Sequence, residues 1–292
     1  DKVFLFLKLK HQYFVCKSMS APKSIFWFRR DLRLQDNAGL YRALSGRKNV
    51  LPLFIFDKEI LDKLPKKDAR VDFIHGTISK LKHDLNEFGS DLMVVYGKPI
   101  DVWQKLFNEH KIEAIYTNRD FETYANVRDE EVATLAKKYG AVFKTYKDHV
   151  IFEKDEVVKD DGKPYTVFTP YSRKWKKKLT DYYLKPYSIE RYFGNFSKTK
   201  VGEMPTLAQM GFEKSGIDLP KKSVNEELIK KYDKTRDIPS IKGTSKLGLH
   251  LRFGTISIRQ LAQKAFGLNE TYLNELIWRD FYAMILHHFP RV

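Results

Sequence analysis

Five short apolar runs, at 24–28, 50–56, 92–96, 114–117 and 141–146, alternate with helical patterns over the first half of the chain. The runs are rich in Val, Ile, Phe and Tyr and are bounded by polar residues, Gly or Pro, as strands are. The clearest helix between them places Val71, Ile74, Ile78, Leu81 and Leu85 at spacings of three and four, a single apolar stripe. A second helix is expected over 123–138. Strands that alternate with helices form a parallel sheet with helices on both faces. The fold class expected is therefore α/β: a doubly wound, Rossmann-like parallel sheet, with ligands at the carboxyl ends of its strands.

The alternation stops near residue 147. Residues 148–215 carry Gly, Pro, aromatics and many lysines with weak periodicity, which suggests a long connector with local structure. Beyond it the patterns are helical, over 226–232, 244–253, 258–266 and 271–289. The domain reading is a leader at 1–23, the α/β domain at 24–147, a linker at 148–222 and the first part of an α-helical domain at 223–292. Two domains suit a chain of 292 residues. The leader is expected to be non-native or disordered. Position 1 is Asp, Met19 makes a plausible start, and the apolar run at 3–7 is interrupted by Lys8 and Lys10 with no small-residue cleavage site after it. The other end stops straight after a long amphipathic pattern, so the chain reads as a piece of something longer.

Composition narrows the class. Lys and Arg number 53 against 37 Asp and Glu, a formal charge of +16 that favours an anionic partner, nucleic acid before membrane surface. The single cysteine, Cys16, excludes an internal disulfide and a cysteine zinc cage. No apolar run reaches the ~18 residues of a membrane span. A cytoplasmic protein without a membrane partner is expected.

Two segments could carry chemistry. Along 271–289, helical spacing makes Tyr272, Glu275, Trp278, Arg279 and Tyr282 neighbours. Two readings stay open: a core tryptophan beside a salt-bridged Glu and Arg, or one wall of a pocket for something flat and anionic. In the second segment, Gly243 precedes Thr244, Ser245 and Lys246, followed by Leu247 and Gly248. Hydroxyls and free N–H groups at a helix start suit a phosphate, and they equally make a plain N-cap. Upstream, Tyr232 and Arg236 supply an aromatic and a cation. Arg173, Lys174, Lys176, Lys177 and Lys178 surround Trp175, either as a phosphate-tracking stripe or as a solvated loop. The dinucleotide and P-loop glycine patterns are absent, as is a metalloprotease motif, and no metal site is expected.

Taken together, these segments resemble the DNA photolyase/cryptochrome family. The resemblance runs in order through Phe26-Trp27-Phe28-Arg29-Arg30-Asp31-Leu32-Arg33-Leu34 with Asp36-Asn37, then Tyr96-Gly97-Lys98-Pro99, Thr117-Asn118 with Arg128-Asp129, and Gly162-Lys163-Pro164-Tyr165 with Phe168-Thr169-Pro170-Tyr171. It continues through Tyr232 with Arg236-Asp237 and Pro239, then Gly243-Thr244-Ser245-Lys246-Leu247, and ends on Asn274-Glu275-Leu276-Ile277-Trp278-Arg279-Asp280-Phe281-Tyr282.

The resemblance implies an antenna domain, a linker and a helical domain that binds FAD. It implies an FAD site at Tyr232, Thr244, Ser245, Lys246, Leu247, Gly248, Tyr272, Glu275 and Arg279, with Arg279 near the phosphates. Gly248 stands where many members have Ser, which removes one hydroxyl. Arg236, Glu275, Trp278 and Tyr282 would meet DNA containing pyrimidine dimers, Glu275 and Trp278 as the catalytic pair at the flipped dimer. The implied activity is that of a class I photolyase: blue-light repair of cyclobutane pyrimidine dimers by an electron from reduced FAD, in a monomer. A second chromophore (folate, deazaflavin or flavin) is possible in the family; Tyr124-Ala125 replaces the Asn-Glu pair that holds folate in some members. The family also implies that about half the helical domain, with the tryptophan electron-relay chain, follows residue 292. The chain alone is then expected to hold FAD weakly or not at all, and to be inactive. A cryptochrome-type light sensor, a (6-4) photolyase and an unrelated nucleotide-binding α/β protein remain as alternatives.

Overall fold

The computed structural model describes residues 23–291. The leader expected at 1–23, Cys16 included, lies outside the described residues except for Lys23. Strands β1 (Ser24–Phe28), β2 (Val50–Asp57), β3 (Met93–Gly97), β4 (Ala114–Asn118) and β5 (Val142–Tyr146) form one sheet in the order β3-β2-β1-β4-β5. All pairs are parallel, with Ser24 in register with Val50 and with Ala114. Helices α1 (Ala38–Gly46), α2 (Lys58–Leu61), α3 (Ala69–Glu87), α4 (Pro99–Glu109) and α5 (Thr123–Lys138) occupy the crossovers.

The burial follows the sequence pattern. β1 and β2 are buried on both faces, which is why they read as unbroken apolar runs. Phe26, Phe28, Leu40 and Ile78 pack on one face, and Ile25, Trp27, Leu53 and Trp103 on the other. Chain order reverses between β1 and β4, so the crevice for a ligand opens at their carboxyl ends.

The segment expected as a weakly structured linker holds α6 (Phe168–Lys178) and α7 (Asp181–Leu184). Trp175 is fully buried on α6, and its indole N–H donates to Asp280 Oδ2 at 2.9 Å. The basic residues around it are therefore not a loop. Lys174 pairs with Asp160 at 2.6 Å, Lys176 with Glu270 at 2.5 Å, and Lys178 donates to the carbonyl of Glu156, which leaves Arg173 and Lys177 facing solvent. Ile151, Phe152, Tyr171 and Trp175 share one apolar cluster with the helices that follow: α8 (Glu226–Lys230), α9 (Tyr232–Thr235), α10 (Gly248–Arg252), α11 (Ile258–Leu268) and α12 (Glu270–His288).

The helix expected over 244–253 begins only at Gly248. Lys246 has φ +53, a left-handed turn that a helix cannot include, so Thr244 and Ser245 lie ahead of α10 and do not cap it.

A buried ionic knot joins the α/β domain to the helices. The Asp148 carboxylate accepts from Arg33 at 2.8 Å, from Arg259 at 2.8 Å and from the backbone N–H of Ala38 at 3.0 Å. Arg259 also donates to Asp36 Oδ1 at 2.9 Å. Gly254 closes the junction at φ +60; a Cβ there would stand 2.1 Å from the carbonyl oxygen of Arg30, so the approach requires glycine.

Candidate functional site

Helix α12 carries the residues singled out above. Asn269 caps it by accepting the Tyr272 N–H at 3.0 Å. Leu273, Leu276, Ile277, Phe281 and Met284 bury one face, which leaves Glu275, Trp278 and Tyr282 toward the outside. Arg236, at the end of α9, forms an ion pair with Glu275 and another with Asp237 at 3.2 Å. Tyr232 meets Tyr272 edge to face at 5.0 Å, and the Tyr272 hydroxyl hydrogen-bonds Ser245 Oγ at 3.1 Å. Burial pushes both phenols above their ordinary pKa.

The fold thus gathers Tyr232, Arg236, Ser245, Tyr272 and Glu275. Thr244, Lys246 and Gly248 are exposed beside them, Leu247 is buried, and Lys246 meets no carboxylate among the described residues. A Cβ on Gly243 would collide with the Thr235 carbonyl oxygen at 2.3 Å, so glycine lets this loop lie against α9.

Trp278 and Arg279 are both engaged by neighbours. Trp278 does not present a bare face. Phe168 stacks on it at 3.7 Å and 4° from parallel, and Tyr282 lies 5.5 Å away at 24°. An indole left bare would expose a large apolar plane to water, and the turn that opens α6 covers it. Arg279 donates to the backbone carbonyls of His149 and, at 3.1 Å, of Leu251. Burial lowers its pKa to about 10. Its guanidinium staples the junction through these two carbonyls.

Asp280, quoted above only within a motif, organises this region. Its Oδ2 accepts from Ile151 N at 3.0 Å, Phe152 N at 3.1 Å and Trp175 Nε1 at 2.9 Å. Burial pushes its pKa up to about 6. A carboxyl that binds its proton more tightly when folded stabilises most below its unfolded pKa, near 4, and this contribution fades as pH rises through 6. Asp280→Asn is therefore expected to flatten the pH dependence of stability between pH 4 and 6. The wild type should lose on the order of 3 kcal/mol relative to the variant across that window, read from urea midpoints. Parallel curves for the two proteins would remove Asp280 from this role.

A second site lies at the carboxyl ends of β1 and β2, where a cavity of about 200 Å³ is walled by Trp27, Phe56, Ile60 and Leu64 and by the start of α5. The Tyr124 hydroxyl donates to Asp57 Oδ2 at 2.7 Å, and Arg128 lies 3.8 Å from Asp57 and 5.0 Å from the Trp27 ring. Burial, ahead of the bond to Asp57, raises the Tyr124 pKa. Tyr124 and Ala125, where the sequence departs from a folate pair, both line this cavity. Sequence reading missed Trp27, Asp57 and Arg128 as partners; the strand-end position of the first two was the available signal. Among the described residues, the donor atoms of Asp155, His287 and His288 lie within 4.8 Å of one another, close enough to share a metal ion. No described helix is long and apolar enough to cross a membrane.

The family described as DNA photolyase matches residues 24–188. A deoxyribodipyrimidine photo-lyase of Synechococcus sp. strain PCC 6301 is 32% identical over 93% of this chain and 62% of its own length. An uncharacterized 31.6 kDa protein of Synechococcus sp. strain PCC 6716 is 30% identical over 90% of this chain and its own entire length. Among solved structures, an archaeal photolyase from Sulfolobus tokodaii with two FAD molecules superposes with a TM-score of 0.69 at 27% identity, covering 91% of this chain and 60% of that one. The chain thus spans about three fifths of the photolyases it matches. A match over more than half of the sequence, with the same α/β domain and helical region, places this chain in the DNA photolyase family.

Proposed function

We propose that this chain serves the blue-light repair of cyclobutane pyrimidine dimers in DNA, as a class I photolyase does, with α12 as the lesion-reading element. The observation that carries this reading is the side-by-side placement of Glu275 and Trp278, one turn apart, with Arg236 held against Glu275. A dimer stacks and pairs poorly, so its extrusion from the duplex costs little. Trp278 then offers a stacking plane once Phe168 gives way to the base. Arg236 leaves Glu275 for a DNA phosphate, which frees the carboxyl to hydrogen-bond the pyrimidine edge. The net charge of +16 supports attraction to the phosphate backbone.

The residues present fit the phosphate end of FAD in part. Thr244, Ser245 and Lys246 supply two hydroxyls and an unpaired ammonium on one short loop, and Tyr232 and Tyr272 supply apolar walls, whereas Arg279 is engaged elsewhere. Bound and reduced, FAD would supply the electron on excitation. The strand-end cavity is the proposed place for a second, antenna chromophore, and its Tyr124-Ala125 wall argues against folate there.

The chain alone is expected to be inactive, so the test is a light-against-dark assay on dimer-containing single strands with the chain extended to the full length of the photolyases it matches and reduced FAD present. Light-dependent loss of dimers, suppressed at least about tenfold by Glu275→Ala, is the expected result. Dimers bound but never split in light would remove the repair step and leave a light sensor. Phe168→Ala supplies a further prediction. Uncovering the indole should raise dimer affinity by about two- to fivefold in anisotropy titrations, since the base no longer displaces a stacked ring. Weaker binding would show that Phe168 helps hold the lesion.

A further inference from the structure

A cavity of about 660 Å³ lies between α1, the loops that follow β4 and β5, and residues 182–191. Neither the lesion site nor the strand-end cavity uses its lining. Six cations border it. Three are already neutralised: Arg119 by Glu153 at 2.6 Å, Lys147 by Glu156 at 2.5 Å, and Arg259 by Asp36 and Asp148. The other three, Arg42, Lys185 and Arg191, have no carboxylate partner among the described residues.

Arg42 and Arg191 converge on one neutral group. Arg191 hydrogen-bonds the Tyr41 phenol, and the Arg42 guanidinium lies 5.9 Å from the Tyr41 ring. Bonds from Arg191 and Tyr192, with the charges of Arg191 and Arg42, pull the Tyr41 pKa below its ordinary value. Two guanidiniums beside a phenol, with the cavity's carboxylates Glu153 and Glu156 already paired to Arg119 and Lys147, create a local positive field that an anion would complete. The same cavity has an aromatic wall. Tyr41 packs on Tyr187 at 5.2 Å, while Tyr182 is 81% exposed and meets the Tyr183 ring edge to face at 5.4 Å. A tyrosine plane left open beside unpaired cations is an arrangement that stacks a base and holds its phosphate.

We propose that this cavity binds a nucleoside phosphate, with Arg42, Arg191 and Lys185 on the phosphate oxygens and Tyr182 against the base. The site is separate from the lesion-reading face, and its occupancy does not depend on light or on FAD.

The test is calorimetric titration of the chain with ADP, beside parallel titrations with inorganic pyrophosphate and with adenosine. ADP is expected to bind more tightly than either fragment. The double variant Arg42→Gln/Arg191→Gln should weaken ADP at least about tenfold, and Tyr182→Ala about fivefold. The three side chains are exposed, so circular dichroism and thermal midpoints should match the wild type; Lys185→Gln gives an independent reading if one variant misfolds. Three results would overturn the proposal: no ADP binding at millimolar concentration, ADP affinity unchanged in the double variant, or pyrophosphate binding as tightly as ADP.

Discussion

Asp148→Ala should destabilise the folded chain by about 3–5 kcal/mol, the largest single effect expected here. The substitution leaves Arg33 buried with only backbone carbonyls, of Asp36 and Gly254, leaves Arg259 with the Asp36 carboxylate, and removes the acceptor for the Ala38 N–H. A stranded guanidinium cannot recover its hydration inside the junction, and that loss dominates over the Coulomb energy of the original pair. Domains of this kind have about 5–15 kcal/mol to lose, so the variant should populate unfolded or partly opened states at room temperature. Burial works against the charged form of Asp148, yet Arg33 and Arg259 outweigh it and hold the pKa well below the usual carboxylate range. The contribution is therefore present at neutral pH and is lost as pH falls below about 4 toward that depressed value. Urea denaturation at pH 7 checks the prediction. A midpoint equal to wild type would mean that the knot contributes nothing, and Asp148→Asn should fall between the two.

Trp278→Ala is the second. If the indole supplies the stacking plane for a flipped base, its removal should cost about 1–3 kcal/mol of dimer binding, or about 5- to 150-fold in affinity. The same change strips a partner from Phe168, Phe281 and Tyr282, so stability should fall as well. Trp278→Phe separates the two effects. It retains a ring in the cluster and should keep most of the stability, but lose part of the affinity because the plane is smaller. Anisotropy titrations with a dimer-containing strand give the affinity, and thermal midpoints give the stability. Loss of stability with unchanged affinity would make Trp278 a packing residue only.

The α/β half was open to reading because β1, β2 and β4 are buried on both faces, whereas the edge strand β5 is half exposed. Burial on both faces leaves unbroken apolar runs such as 50–56, and α3 shows its stripe because only one face meets the sheet. Local chemistry misled at Thr244. A Gly followed by Thr and Ser looks like a helix start, and nothing nearby in the chain announces the left-handed Lys246 that delays α10. Trp175 misled through its neighbours. The surrounding lysines suggested a solvated segment, although Phe168, Tyr171 and Trp175 at spacings of three and four already marked an apolar helix face.

The proposed lesion site was legible only along one helix. Glu275 and Trp278 follow from periodicity, but their partners come from far away, Arg236 on α9 and Phe168 on α6. Arg279 shows the limit most clearly. Its type and spacing suit a phosphate, and its geometry gives it to two backbone carbonyls. Side-chain type records what a residue could bind; the tertiary fold decides which partner reaches it first.

A dark competition experiment tests the central claim most directly. Two single strands of the same sequence, one carrying a cyclobutane dimer and one undamaged, compete for the chain at fixed salt with FAD present. Lesion reading by α12 predicts a preference for the dimer of at least about tenfold that disappears in Trp278→Ala. Equal affinity for the two strands would leave only backbone attraction by a basic protein, and would contradict the assignment of Glu275 and Trp278.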